Sequence, residues 1–209
     1  MDKPGSDHYR SYIGWPENYD VVAASAFSLM AELGLREEHK LLDIGCGSLR
    51  IGRLFIPYLN VGNYVGVEPN EWLVRDGIKY ETGQDQIDIK KPRFYFTDTT
   101  SGLPDDEMFD FALAHSVFTH GGLDIIEQWL CDVSARLKKN GVLVATFKTD
   151  ATDSEVQGWA YPECLRYRPE TLSELARDVG LYFQLEEWYH PTQQWALFAK
   201  PDSPFANST

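Results

Sequence analysis

The sequence predicts a doubly wound α/β fold with a mostly parallel sheet and one reversed strand near its C-terminal edge. Three observations predict it. Short apolar runs alternate with segments of helical spacing, the pattern of βαβ units. The first apolar run holds Asp43 and Ile44 and is followed at once by Gly45-Cys46-Gly47, a tight turn suited to joining a strand to a helix. The last two apolar runs are joined through HPTQ, too short for a parallel crossover but long enough for an antiparallel hairpin.

The elements follow in order. Asn18 can cap a helix running through VVAASAFSLMAELG, which stops at Gly34. KLLDIG reads as a short buried strand, and RIGRLFIPYL has helical spacing. NYVGVE is a second strand, EWLVRDGIKYE a helix, RFYFTD a third strand and FDFALAH a fourth. LDIIEQWLCDVSARLKK is an amphipathic helix with Leu123, Ile126, Trp129, Leu130, Val133 and Leu137 on one stripe. Asn140-Gly141 is a common helix stop, and GVLVATF after it is a fifth strand. RPETLSELARDVG is a helix with Pro169 and Glu170 in its first turn. LYFQLEEWYH and QWALFAK are the final strands. The segment 148–167 has no clear periodicity, and its aromatics Trp159, Tyr161 and Tyr167 argue for an ordered functional loop.

A chain of 209 residues fits one large domain. The formal net charge of −13 would repel a phosphate backbone or an anionic membrane, so neither nucleic acid nor a membrane is expected as a partner. The three cysteines, Cys46, Cys131 and Cys164, form no CxxC pair, so no metal site and no disulfide framework is expected. The polar start MDKPGSDHYR is unlike a signal peptide and no apolar stretch approaches a membrane span. A cytoplasmic protein is the default expectation.

In open α/β sheets ligands bind beyond the carboxyl ends of the strands, and the next helix points its N-terminus at them. Gly45-Cys46-Gly47 stands at that place. The dinucleotide fingerprint GxGxxG would need glycine where Arg50 stands, so pyrophosphate binding is disfavoured. Glu68 ends the second strand, 25 positions after Asp43, near the place of the acid that takes ribose hydroxyls about 20 residues on in nucleotide-binding βαβ units. Asp98 ends the third strand, at the rim of an adenine site. Each acid taken singly is a common solvated strand end; three in register at the ends of three strands point to a nucleoside.

On Asp43-Ile44-Gly45-Cys46-Gly47-Ser48, Glu68, Asp98 and the closing hairpin, the chain resembles the class I S-adenosylmethionine-dependent methyltransferases. It is similar to the small members grouped as types 11, 12 and 25, in a form whose first motif reads GCGSLR. The resemblance covers about residues 38–200, and HSVFTH after the fourth strand also resembles that superfamily. The family usually has a further glycine where Leu49 stands. The resemblance implies a Rossmann-like seven-stranded sheet of order 3-2-1-4-5-7-6 with strand 7 antiparallel. It implies S-adenosylmethionine as cofactor and S-adenosylhomocysteine as product. Backbone at Gly45, Cys46 and Gly47 would face the methionine part, with the Cys46 side chain packing rather than reacting. Glu68, followed by Pro69, would take the ribose hydroxyls. Asp98 and the Thr99 amide would meet the adenine amine, and Trp72 would flank the ring or pack its own helix. Backbone near Ala114–His115 would hold the methionine amine, with Asp43 helping through water, and Arg50 could bind a carboxylate.

Methyl transfer from a sulfonium needs alignment and exclusion of water, and a base only when the acceptor keeps a proton. His120 and His115 flank SVFT where an acceptor site would open and are the candidate catalytic groups, against a structural role for each. Asp150 is a weaker candidate, and His190 reads as a turn residue beside Pro191. The chain divides into an N-terminal lid and helix (1–37), a core (38–200) with a lid insertion (148–167), and a tail (201–209). Tyr9, Tyr12, Trp15, Trp159, Tyr161 and Tyr167 would roof the site, and Arg166 stands near its mouth. The expected reaction is methylation of an oxygen or nitrogen of a small-molecule acceptor by a monomer or homodimer. A protein methyltransferase, a non-catalytic binder of the cofactor or its product, and a dehydrogenase are the rivals.

Overall fold

The computed structural model describes residues 3–206. Its seven strands are β1 (Leu41–Ile44), β2 (Tyr64–Val67), β3 (Arg93–Tyr95), β4 (Phe109–Ala114), β5 (Leu137–Phe147), β6 (Tyr182–Glu186) and β7 (Gln194–Ala199). They form one sheet of order β3-β2-β1-β4-β5-β7-β6. The chain falls into two compact units that divide after Asp98.

In the first unit β1 pairs with β2 and β2 with β3, both parallel. All four residues of β1 and of β2 are buried, as continuous apolar runs in parallel sheets usually are. Asp43 is the polar exception. The helices are α1 (Tyr9–Tyr12), α2 (Tyr19–Glu32), α3 (Gly52–Tyr58), α4 (Glu71–Gly77) and α5 (Gln84–Lys90). Asn18 stands at the N-cap of α2 but its side chain makes no capping bond. The single helix expected over 71–81 ends as α4 and passes through a π-helical turn, Ile78–Thr82, into α5. Gly83, with φ +86°, separates the last two, a conformation glycine adopts without steric penalty. The third strand stops at Tyr95, so Asp98 lies in the bend beyond it and not at its end.

In the second unit β4 pairs with β5 in parallel, and β7 runs antiparallel to both β5 and β6. The reversed strand is therefore β7, as expected from the short hairpin. The helices are α6 (Leu123–Arg136) and α7 (Pro169–Asp178). On α6, Ile126, Trp129, Leu130 and Val133 are buried, whereas Leu123 is only half-buried. The helix ends before the expected 139. Leu137 turns extended and pairs with Phe109, the register then shifts in a bulge whose residues 138–140 are exposed, and pairing resumes at Val142 opposite Phe111. A Lys138–Asp110 ion pair of 2.7 Å ties the bulge to β4. The tail packs back as far as it is described: Ser203 donates to the Asn140 carbonyl at 3.3 Å and Phe205 meets Phe111 edge-on.

Candidate functional site

The turn after β1 is built from left-handed backbone. Gly45, Gly47 and Leu49 have φ of +63°, +53° and +59°. The third of these left-handed positions is occupied by a leucine. That conformation costs a non-glycine residue about 1–2 kcal/mol. Leu49 is fully buried, and burying a leucine contributes about 1.5–3 kcal/mol, enough to offset the strain.

Glu68 leaves β2 beside this turn and is buried. Its Oε2 accepts from the Gly47 N–H at 3.1 Å, and its Oε1 accepts from the Asn70 backbone and side chain at 2.9 and 2.8 Å. Burial pushes its carboxyl up, against those Asn70 and Gly47 donors, which pull it down. Cys46 donates its backbone N–H to Val67 at 3.1 Å. Its thiol is buried and held well above its ordinary value by burial and then by the Asp43 and Glu68 charges, so it is a packing group and no thiolate.

Asp43 is buried in β1 and accepts from the Tyr64 hydroxyl at 2.6 Å. Burial lifts its carboxyl to about 7, while Tyr64 and the Arg50 charge pull it down and the Glu68 charge adds to the rise. Gly52 makes this bond possible, because a Cβ there would stand 2.5 Å from the Tyr64 hydroxyl oxygen. Arg50 is buried too, its guanidinium lowered to about 10 by burial against the raising effect of Tyr19 and Asp43.

The N-terminal segment lies over the same turn. A Cβ on Gly47 would meet Ile13 Cγ2 at 3.0 Å, and one on Gly14 would meet Arg50 Nη1 at 3.2 Å. Tyr12 meets Trp72 edge-on, with centroids 5.1 Å apart, and Tyr9 stacks on Tyr80 at 5.3 Å. Arg10 pairs with Glu81 at 2.6 Å, and Tyr9 donates to the same carboxylate at 2.8 Å. Trp15 is about half exposed, Trp72 partly so, and Pro69 is exposed. Asp98 is exposed in its bend.

In the second unit Thr99 begins a turn in which its hydroxyl bonds that of Ser101 at 2.8 Å. Ala114 ends β4 and is fully buried, and His115 follows, also buried. The backbone turns left-handed at Ser116, φ +61°, and its N–H donates to Thr146 Oγ1 at 2.7 Å. His115 Nε2 faces His190 Nε2 at 3.0 Å, and Gln193 donates to the Ser116 hydroxyl. His120 bonds the Glu163 carbonyl through Nδ1 at 2.6 Å and meets Tyr161 edge-on. A carbonyl only accepts, so Nδ1 carries the proton and Nε2 the lone pair. Burial lowers the His120 imidazole; the Glu163 carbonyl opposes this and the Lys148 charge adds to it.

The segment 148–167 is tied down by backbone bonds. Leu165 donates to Thr119 at 2.7 Å, Ala160 to His120 at 2.8 Å and Gly122 to Gly158 at 2.8 Å. Tyr167 differs from the expected roof residue: it is fully buried and donates to the Gly121 carbonyl at 2.7 Å. It pins the loop because its hydroxyl finds an acceptor inside. Trp159 remains about two-fifths exposed, Tyr161 half-buried, and Arg166 exposed at 4.0 Å from Asp150.

Sequence reasoning missed Tyr64, Gly52, Ile13, Gln193 and the role of His190. Gly52 carried a signal, as a glycine inside a helical pattern marks a close approach. The others carried none, since their partners lie elsewhere in the chain. Among the described residues no cluster of three His, Cys, Asp or Glu could hold a metal ion, and no helix is long and apolar enough to cross a membrane.

Residues 42–143 match the family model of a methyltransferase domain. Three solved structures are similar. DhpI in its SAH complex is 17% identical, with 90% of this chain and 87% of that one covered at a TM-score of 0.63. Magnesium protoporphyrin IX methyltransferase (ChlM) from Synechocystis PCC 6803 with bound SAH is 11% identical, with 95% and 90% covered at 0.66. The Burkholderia thailandensis 1,6-didemethyltoxoflavin-N1-methyltransferase with its bound substrate and S-adenosylhomocysteine is 20% identical, with 86% and 77% covered at 0.60. At these identities the likeness is one of fold.

Proposed function

We propose, from the premise that this chain is a class I S-adenosylmethionine-dependent methyltransferase, that it methylates an oxygen or nitrogen of a small-molecule acceptor. S-adenosylmethionine supplies an electrophilic methyl on a positively charged sulfur, so the protein has to orient, dry and deprotonate.

The observation that carries the reading is the Glu68 carboxylate. It is buried, fixed by three donors and set against a turn of left-handed backbone. A carboxylate has about four acceptor sites, so one remains for a hydroxyl of a ribose diol. In this reading Gly45, Cys46, Gly47 and Asp43 line the amino-acid end, with Arg50 as the nearest cation. Pro69 follows the ribose carboxylate, Trp72 and Tyr12 flank the adenine, and Asp98 and Thr99 meet its amine. Backbone carbonyls near Ala114 and His115 hold the methionine amine. His120, neutral near pH 7 with its lone pair on Nε2, takes the proton of a hydroxyl or amine acceptor. Trp15, Trp159, Tyr161 and Arg166 border the acceptor. Similar folds include a magnesium protoporphyrin IX methyltransferase and a methyltransferase with bound 1,6-didemethyltoxoflavin, and aromatic borders suit planar rings of that kind. The net charge of −13 disfavours nucleic acid. We place the enzyme in the cytoplasm, as a monomer or homodimer.

Calorimetric titration with S-adenosylmethionine, S-adenosylhomocysteine and NAD tests this. Both sulfur nucleosides should bind at micromolar concentration. Glu68→Ala should weaken them about 10- to 100-fold, the equivalent of one hydrogen bond to a charged group at about 1.5–3 kcal/mol. Tighter binding of NAD, or none of the sulfur nucleosides, sinks the proposal.

A further inference from the structure

The hairpin turn between β6 and β7 holds one histidine in a defined way. His190 Nδ1 accepts two backbone N–H groups, from Thr192 at 3.1 Å and Gln193 at 2.9 Å. A nitrogen that accepts carries no proton, so the proton of a neutral His190 is on Nε2. That Nε2 faces His115 Nε2 at 3.0 Å. Only one of two facing ring nitrogens can donate, and His190 is already the donor. His115 therefore accepts at Nε2 and carries its own proton on Nδ1. The adjoining Gln193 donates to the hydroxyl of Ser116, the left-handed residue next to His115. Both rings also lie against buried Trp195, at 5.6 and 5.8 Å between centroids.

We infer that His190 is a positioning residue that locks His115 as the Nδ1–H tautomer, with its lone pair held at Nε2, so that His120 alone serves as base. The two histidines that flank SVFT thus have opposite polarity. His120 is turned by the Glu163 carbonyl to offer a lone pair at Nε2. His115 is turned by His190 to spend its lone pair inside the protein and keep an N–H. The division of labour rests on the proposed methyl transfer; the tautomer does not.

Two-bond proton–nitrogen correlation spectra of protein labelled with nitrogen-15 histidine read each tautomer directly. His190 should appear as Nε2–H and His115 as Nδ1–H, the minor form of a free imidazole. In His190→Ala the His115 signals should shift to the Nε2–H pattern. In His190→Gln they should stay, because the amide N–H stands near the lost Nε2 and still donates. An Nε2–H pattern for His115 in the native protein, or no change in His190→Ala, overturns the inference. Should His190→Ala fail to fold, His115→Gln replaces it: His190 must remain Nε2–H there, and Nδ1–H would overturn it equally. S-adenosylhomocysteine titrated into the same samples separates the two claims. Binding with the wrong tautomer removes this inference and leaves the function, whereas the expected tautomer without binding does the reverse.

Discussion

The turn after β1 and the turn after β4 both leave a buried parallel strand and both use left-handed backbone, yet they are held differently. Residues 45–51 carry three left-handed positions and are fixed by packing, by one carboxylate 21 residues on and by the Tyr19 hydroxyl, which donates to the Ser48 carbonyl at 3.4 Å. Residues 115–122 carry one, at Ser116, and are fixed by side chains and carbonyls from Thr146, Glu163, Tyr167, His190 and Gln193. The first is a backbone device with little freedom to vary, which in the proposed function suits the invariant part of a cofactor. The second is assembled from distant parts of the chain, and its polarity is set by which imidazole nitrogen is bonded, which in the proposed function suits an acceptor that differs between enzymes.

The largest effect should come from the Asp43 carboxyl packed beneath the first turn. The Asp43 carboxyl ionises near 3.8 when unfolded and at about 7 when buried. Between those values the folded state holds the extra proton, so stability falls as pH rises and the deficit is complete above 7. Asp43→Asn has no proton to lose and still accepts from Tyr64. Relative to the native protein it should gain up to about 4 kcal/mol between pH 4 and 8, read from urea unfolding at each pH. A pH-independent difference would mean that Asp43 is solvated and the turn is not packed as described. Leu49→Gly sets strain against burial in the same turn. Relief of left-handed backbone returns about 1–2 kcal/mol, but emptying a buried leucine site costs about 2–5 kcal/mol. A net loss of about 1–3 kcal/mol is expected from those two terms; a gain would show that strain dominates and that leucine is kept there for function.

The second turn should yield to loss of a single hydrogen bond. Tyr167→Phe removes only the hydroxyl that donates to Gly121 and leaves a buried carbonyl unpaired. The expected cost is about 1–2 kcal/mol, with faster amide exchange at Gly122 and Ala160, whose N–H groups close the loop. Unchanged exchange there would show that the loop is held by packing instead, and the contrast between the turns would fail.

That contrast also explains what was legible in the sequence. The sheet order came through a resemblance, and the reversed strand from a connection too short for a crossover. Glu68 and the glycines were visible because their partners are local or their residue types rare in other conformations. Leu49 was not recognisable as left-handed, since only burial permits it. The end of α6 was misplaced because Leu137 fits the helical stripe, and Phe109, 28 positions earlier, decides that it pairs as strand instead. His190 looked like a plain turn residue for the same reason: its meaning lies in His115, 75 positions away.

The smallest effect tests whether the N-terminal segment covers the first turn or merely rests beside it. Ile13 lies against Gly47, and its anchor is the Arg10–Glu81 pair, in which Glu81 is almost fully buried and Arg10 about one-third exposed. Arg10 also lies over the Tyr19 ring at 4.5 Å. Partly exposed pairs contribute about 0.2–1 kcal/mol, and Tyr9 would still donate to Glu81 in Arg10→Ala, so the melting temperature should barely move. A cover loosened by that amount should release S-adenosylhomocysteine about two- to five-fold faster, since each 1.4 kcal/mol is tenfold, and added salt should shrink the difference between native and variant protein. An unchanged off-rate would make the segment a structural strap. The packing over Gly47 would then stabilise the turn without controlling what enters it.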